Sequence, residues 1–322
     1  MGVRPWIECV PNFSEGRRPE VVARIAAAAE GIAGAALLGA EADPDHNRAV
    51  LTIAGEPEAV LEAVWQACRV AVAHIDLRSH EGVHPRIGAV DVVPFVPGPG
   101  VSIADCLQLA ERFGQRLWQE LGIPVYLYGR AARRPERRRL ATIRRGGFEA
   151  LQTEITMPDR APDIGEARLH PSAGATAVGV RPPLVAFNVL LRTADLTIAR
   201  KIARNVRETG GGLVNIQAMG FPLASQGLVQ VSLNLLDPVR TPIYRVLELI
   251  RTEAARYGVS VARTELVGLL PLRALLASAA YYLGLERLQP EEILEWNIVH
   301  RLGKESTELK WRWPDGIGNP GT

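Results

Sequence analysis

AALLGAEADPDHNRAVLTIAGEPEAVLEAVWQACRVAVAHI, residues 35–75, decides the fold. Residues 35–41 have strand character, the polar run Asp43-Pro44-Asp45-His46-Asn47 makes a loop, and residues 48–54 alternate as a second strand. From Pro57 the spacing becomes helical, with Leu61, Val64, Trp65 and Cys68 on one face out to about residue 75. The pattern completes itself in both directions. Upstream, residues 7–10 form a short strand, and Pro19, at an allowed first-turn position, opens a helix through Ala29 that Gly31 and Gly34 stop. Downstream, a polar loop holding Gly82 and Pro85 leads into a strand at 88–96. The order β-α-β-β-α-β predicts a ferredoxin-like unit, in which two helices cover one face of an antiparallel sheet.

A helix at 102–121 and a strand at 125–129 extend this half, after which 8 of the 16 residues from 130 to 145 are arginine. The stretch to residue 163 is expected to connect two domains. Beyond it, residues 184–191 form a strand, Asp195 caps a helix to 207, 213–218 and 228–235 make a hairpin, 242–257 a helix and 259–267 a strand. The same order recurs without a residue-level repeat. The expected class is therefore α+β, two ferredoxin-like βαββαβ subdomains at 1–163 and 164–302, with helical segments at 272–285 and 290–302 and a polar tail at 303–322.

The length of 322 residues favours two domains, and 47% apolar with 22% charged residues is globular composition that excludes disorder and collagen-like architecture. Of 37 basic residues only Lys201, Lys304 and Lys310 are lysine, yet the net charge is +2, so no global basic footprint points to nucleic acid. Cys9, Cys68 and Cys106 are odd in number and lack C-x-x-C spacing, as structural thiols of a reducing compartment do. No signal segment opens the chain, Trp6 stands where myristoylation needs Ser or Thr, and no stretch approaches the length of an apolar span. A soluble cytoplasmic protein with no membrane partner is expected.

His80-Glu81-Gly82-Val83-His84 matches the H-E-x-x-H pattern of zinc peptidases. That pattern works only on a helix, which Gly82 weakens and Pro85 opposes at His84, and no third ligand is in view. The histidines stay as candidates for proton transfer, against a plain solvated loop. Gly210-Gly211-Gly212 follows a helix, so it is expected to cap it rather than cradle phosphate. The arginine cluster interleaves with Glu136 and has no aromatics, which disfavours a nucleic-acid groove. It is expected to be a solvated face on which Arg133, Arg134, Arg137 and Arg138 attract a polyanionic ligand through screened attraction. Ser102, Ser172 and Ser232 lack nucleophile-elbow surroundings. The residues alone leave the reaction open.

Ile7-Glu8-Cys9-Val10-Pro11-Asn12-Phe13-Ser14-Glu15-Gly16-Arg17 resembles the E-C-[VI]-P-N-F-S-E-G start of the glutamate formimidoyltransferases. The loop from His80 to Gly88 is similar to that family's H-x-G-x-H-P-R-x-G, and His46-Asn47-Arg48, Val125-Tyr126-Leu127-Tyr128, Ala161-Pro162-Asp163 and Glu265-Leu266-Val267-Gly268-Leu269 also fit, in collinear order over about residues 5–285. The resemblance implies transfer of a formimino group from N-formimino-L-glutamate to N5 of tetrahydrofolate as co-substrate, without a metal, in an active site between the two subdomains. It places the catalytic histidine at His84 and the folate-binding segment at Gly165-Glu166-Ala167-Arg168-Leu169-His170-Pro171-Ser172-Ala173-Gly174, where Ala173 replaces an aromatic found in some members. Around His84, residue type and loop position give His80 and Glu41 as catalytic partners and Asp43, Arg48 and Arg86 as substrate-binding groups. A homodimer acting on small molecules is expected. Formyl transfer from N-formylglutamate and a non-catalytic folate- or polyanion-binding protein are the alternatives.

Overall fold

The structure, a computed structural model, describes residues 5–82, 84–223 and 226–297. The first strand is broken by Pro11 into β1 (Ile7–Cys9) and β2 (Asn12–Phe13). Both pieces pair antiparallel with β4 (Arg48–Gly55) and with β5 (Val90–Pro97), and β3 (Ala35–Asp43) adds to the outer edge of β4. Strand alternation sorts the side chains. Ile7, Cys9, Leu51, Ile53, Val93 and Phe95 form a core with Ile25 of α1 (Pro19–Ala29), Trp65 and Cys68 of α2 (Pro57–His74), and Phe113 of α3 (Ile103–Leu121). Glu8, Arg48, Val50, Thr52, Val92 and Pro94 take the opposite face. Both α1 and α2 start on proline, and Ser102 and Asp105 form a reciprocal cap at the start of α3.

One strand lies where none was expected. β7 (Thr176–Val180) pairs parallel with β5 on one side and with β6 (Val125–Gly129) on the other, which enlarges the first sheet to seven strands. All five residues of β7 are buried, so it has no polar alternation to announce it. Residues 164–180 therefore belong with the first sheet, and the passage between the sheets falls after Val180 rather than after residue 163. The arginine-rich stretch is no free connection either. It folds into α4 (Leu140–Ile143) and α5 (Gly147–Glu154), which set Ile143 and Leu151 against Val92, Tyr126 and Tyr128.

The second unit keeps the expected order. β8 (Val185–Leu191), α6 (Leu196–Val206), β9 (Ile216–Leu223), β10 (Leu228–Leu235), α7 (Ile243–Ala255) and β11 (Val261–Val267) form an antiparallel sheet of order β11-β8-β10-β9, the ferredoxin-like arrangement. The Asp195 carboxylate caps α6 by accepting from the Thr197 N–H at 2.8 Å. The triple glycine closes that helix as expected: a Cβ at Gly210 would stand 1.8 Å from the Arg204 carbonyl oxygen. α8 (Leu272–Leu283) follows. The expected helix at 290–302 begins as a 3-10 turn at Pro290–Glu292 and is α-helical over 294–297, while residues 298–302 and the 303–322 tail lie outside the described residues.

On the first sheet α1, α2 and α3 cover one face and α4 and α5 cover part of the other, while the second sheet has its helices on one side. The uncovered areas turn to each other, so across them the layers run helix, sheet, sheet, helix. Cys9, Cys68 and Cys106 are free and buried. Among the described residues no helix is long and apolar enough to cross a membrane.

Candidate active site

Between the facing sides of the two sheets lies a cavity of about 720 Å³. The first sheet supplies Glu8, Arg48 and Thr52 to it, the second Gln217 and Asn234, and the link between them Arg181 and Pro182. With Arg130, Arg138 and Arg144, the described residues of the lining set five guanidinium groups against the carboxylates of Glu8 and Asp237. Such an excess attracts ligands carrying several anionic groups, because each guanidinium presents a planar fork to a carboxylate.

His84 lines this cavity at the end where Arg48 begins β4. Arg48 Nη1 approaches His84 Nε2 to 2.6 Å. Arg144 is held beside them by a short bond to the Asp91 carboxylate, whose other oxygen accepts the Ile87 N–H at 2.8 Å. Burial first, then the charges of Arg48 and Arg144, push His84 down to about 2. The imidazole is therefore neutral at physiological pH, with Nε2 as an acceptor. Burial and the like charge of Arg144 also lower Arg48 to about 10.

His80 does not reach the cavity. Its Nδ1 accepts the Arg86 Nε–H at 2.8 Å and its Nε2 faces the Asn47 carbonyl oxygen at 3.1 Å, so the ring carries its proton on Nε2 and has no nitrogen to spare for substrate or metal. Arg86 is likewise committed. It reaches the His80 carbonyl oxygen at 3.0 Å and the Glu149 carboxylate at 2.7 and 3.2 Å, a strut beneath the loop rather than a grip on substrate. Asn47, in the left-handed region at φ 48°, joins three loops: its side chain accepts from the Gly16 N–H at 2.9 Å and donates to the Glu81 carbonyl oxygen at 2.8 Å.

Glu41 and Asp43 also stand outside the lining. Both Glu41 oxygens accept the Gly268 N–H at 2.9 Å, a bond from the first subdomain to the second. Burial alone would raise the Asp43 carboxyl, yet His46, whose Nδ1 lies 2.5 Å from Asp43 Oδ2, holds it below its ordinary value. His46 was absent from the residues expected to act. Its ring stands edge-on to His84, with centroids 6.3 Å apart, and edge-on to Phe221 of the second subdomain at 5.4 Å.

The expected folate segment lies elsewhere. None of residues 165–174 lines the cavity; Gly165, Glu166, Ala167 and Arg168 are exposed, and Ala173 is buried in the first core. The segment braces the histidine loop from behind: the Ser172 carbonyl accepts from the Leu77 N–H at 2.8 Å, and the Ala173 carbonyl from the Ala89 N–H at 2.9 Å. An aromatic at position 173 would point into packed core, not at a ligand.

The arginine cluster divides. Arg130, Arg138 and Arg144 line the cavity, whereas Arg137 is buried against Asp163 at 2.7 Å, Arg133 pairs with Glu111, and Arg134 donates to the Pro158 carbonyl oxygen. No local signal separates these roles, because the turns that aim each side chain are set by packing of α4 and α5.

Fold and cavity together define a two-subdomain α+β protein with an arginine-lined cavity beside a neutral imidazole. The chain belongs to the formiminotransferase family: residues 6–181 match the formiminotransferase domain, N-terminal subdomain, and residues 186–309 match the formiminotransferase domain. These limits meet where β7 ends and β8 begins. The chain is 44% identical over 294 residues to the glutamate formimidoyltransferase of Streptococcus pyogenes serotype M1, covering 91% of this chain and 98% of that one. It is 43% identical over 291 residues to the glutamate formimidoyltransferase of Thermoplasma acidophilum, covering 90% and 96%. It is also 45% identical over 309 residues to the formimidoyltransferase-cyclodeaminase of Rattus norvegicus, of which it spans 57%.

Proposed function

We propose that the protein transfers the formimino group of N-formimino-L-glutamate to N5 of tetrahydrofolate, giving 5-formiminotetrahydrofolate and L-glutamate, in histidine degradation. The observation that carries this reading is a neutral His84 inside a cavity with five arginines, combined with the 44% identity to a glutamate formimidoyltransferase. Both substrates carry carboxylates, and their reaction needs a proton moved. N5 bonds to the formimino carbon while His84 takes the N5 proton; the proton passes to the glutamate nitrogen as its bond to that carbon breaks.

The cavity has length for two substrates. Along β4, Ala54 lies six residues beyond Arg48 and pairs with Glu8, so at ~3.3 Å per residue the far end stands ~20 Å from the His84 end. Arg48 and Arg144 serve the donor's carboxylates, and Arg130, Arg138 and Arg181 those of the co-substrate. His80, Arg86 and residues 165–174 support the loop that aims His84, while Glu41 ties the subdomains together. In this reading the enzyme works in the cytoplasm as a homodimer on these two small molecules, with no metal.

The test is a spectrophotometric assay with tetrahydrofolate and either N-formiminoglutamate or N-formylglutamate. Turnover with the formimino donor is expected, and His84→Ala removes most of it, ~10²- to 10⁴-fold, with tetrahydrofolate binding kept within a few fold. Turnover with the formyl donor alone overturns the donor assignment. Full activity of His84→Ala overturns the role of His84.

A further inference from the structure

A base needs a free lone pair, and the one on His84 Nε2 is covered. Arg48 Nη1 sits 2.6 Å from it, and the other ring nitrogen faces the Pro85 carbonyl. The charged and titratable surroundings come from several elements. Arg144, beyond α4, adds a second cation and is itself anchored on Asp91 of β5; His46, anchored on Asp43, stands edge-on from the β3–β4 turn. Glu41 and Asp43 act on Arg48 at longer range, and the second subdomain contributes the uncharged Phe221 behind His46, with Asp237 elsewhere in the cavity. Arg48 is half-buried, and its hydrogen-bond partner is a neutral imidazole. With the Arg144 cation nearby and the Asp91, Asp43 and Glu41 carboxylates only at longer range, its charge lacks a direct counter-ion.

We propose that Arg48 masks His84 and that a carboxylate of the incoming donor unmasks it, so that the base exists only when an anionic donor is bound. This rests on the formimino-transfer reading for the identity of the donor and on the geometry alone for the mask. In the unmasking step no covalent bond changes. The hydrogen bond from Arg48 Nη1 leaves His84 Nε2 and forms to a carboxylate oxygen, the guanidinium charge becomes paired, and Nε2 is left able to accept a proton. A carboxylate neutralises the guanidinium charge and can engage two of its N–H groups at once, whereas the imidazole offers one uncharged acceptor, which gives the exchange its direction. Arg48 is thereby a positioning and specificity-determining residue: an amidine without a carboxylate can enter the cavity but meets no available base.

The experiment uses the full chain and glutarate, which has two carboxylates and no transferable group. The imidazole Cε1–H signal of His84 is identified by its loss in His84→Gln and followed by NMR against pH. In unliganded wild type it stays in the neutral form across about pH 5 to 8, and saturating glutarate is expected to bring its protonation midpoint into that window, because a guanidinium paired with carboxylate no longer opposes a charged imidazole. Arg48→Met and Arg48→Gln raise that midpoint without glutarate; the polar Gln variant serves if Met does not fold. Glutarate that binds by calorimetry and leaves the titration unmoved overturns the mask, as does an unshifted titration in the folded Arg48 variants.

Turnover gives a second readout. With formamidine as donor, glutarate is expected to activate wild type several fold and to leave Arg48→Gln unaffected, whereas a purely substrate-holding Arg48 makes glutarate an inhibitor only, which refutes the proposal. Absence of wild-type turnover with N-formiminoglutamate defeats the functional reading, and the NMR titration still decides the mask.

Discussion

Replacing Arg137 by Met tests whether the arginine-rich stretch is a surface or a structural part. The guanidinium is 3% exposed and pairs at 2.7 Å with an Asp163 carboxylate that is 4% exposed. It also donates to the carbonyl oxygens of Asp159 at 3.2 Å and Ala161 at 2.5 Å, and its Cζ stands 5.1 Å from the centroid of the Tyr126 ring. Asp163 retains one other partner, the Leu127 N–H at 2.8 Å. Deleting the arginine therefore leaves a buried carboxylate without its counter-charge and two carbonyls without donors. Loss of one partner of a buried pair costs roughly 3–5 kcal/mol. Arg133, half exposed and paired with Glu111, sets the contrast, since its replacement by Met costs about 0.2–1 kcal/mol. Urea unfolding of both variants, with slopes compared, measures the difference. Adding Asp163→Asn to Arg137→Met is expected to recover much of the loss, because the amide keeps an acceptor for Leu127 and buries no charge. An Arg137→Met loss below about 1 kcal/mol, or equal to that of Arg133→Met, refutes the reasoning.

Two further outcomes follow from the histidines and the loop they occupy. His84, His80 and His170 all lie below their ordinary values, with burial the leading cause in each. The unfolded chain takes up their protons near pH ~6.5 while the folded one does not, so stability is full above that pH and falls on acidification, by up to ~1.4 kcal/mol per pH unit for the most buried, His84. Melting curves between about pH 8 and 5 show the slope, which His84→Gln makes shallower by about one proton; an equal slope in wild type and variant contradicts the buried neutral state. Gly82→Ala places a Cβ 2.7 Å from the His46 carbonyl oxygen and 3.0 Å from Asn47 Cβ, which forces the His80–Gly88 loop away from the β3–β4 turn. Turnover is expected to drop by up to ~10²-fold while the melting temperature changes little, and an unchanged kcat shows that the loop position does not matter.

Periodicity alone carried most of the architecture. Both βαββαβ orders are legible because each strand has one face under helices and each helix one apolar stripe, and burial of those faces leaves few other solutions. β7 escaped because a strand buried on both sides has no alternation to read. The missed boundary followed from that single strand, since pairing with β5 and β6 draws residues 164–180 into the first sheet.

At the site, the sequence determined the chemical inventory: a loop with two histidines unable to act as a helical metal motif, an arginine excess, and motifs similar to the glutamate formimidoyltransferases. Only the tertiary structure decided which of those groups work together. His84 and His80 sit four residues apart in one loop, yet one lines the cavity and the other is locked between Arg86 and Asn47. Glu41 turns out to hold Gly268, 227 residues away, and Arg144 to stand beside Arg48 through its bond to Asp91. Residue type fixes what a side chain can donate, accept or ionise. Burial, and the direction in which a distant part of the chain lets it point, fix whether it does.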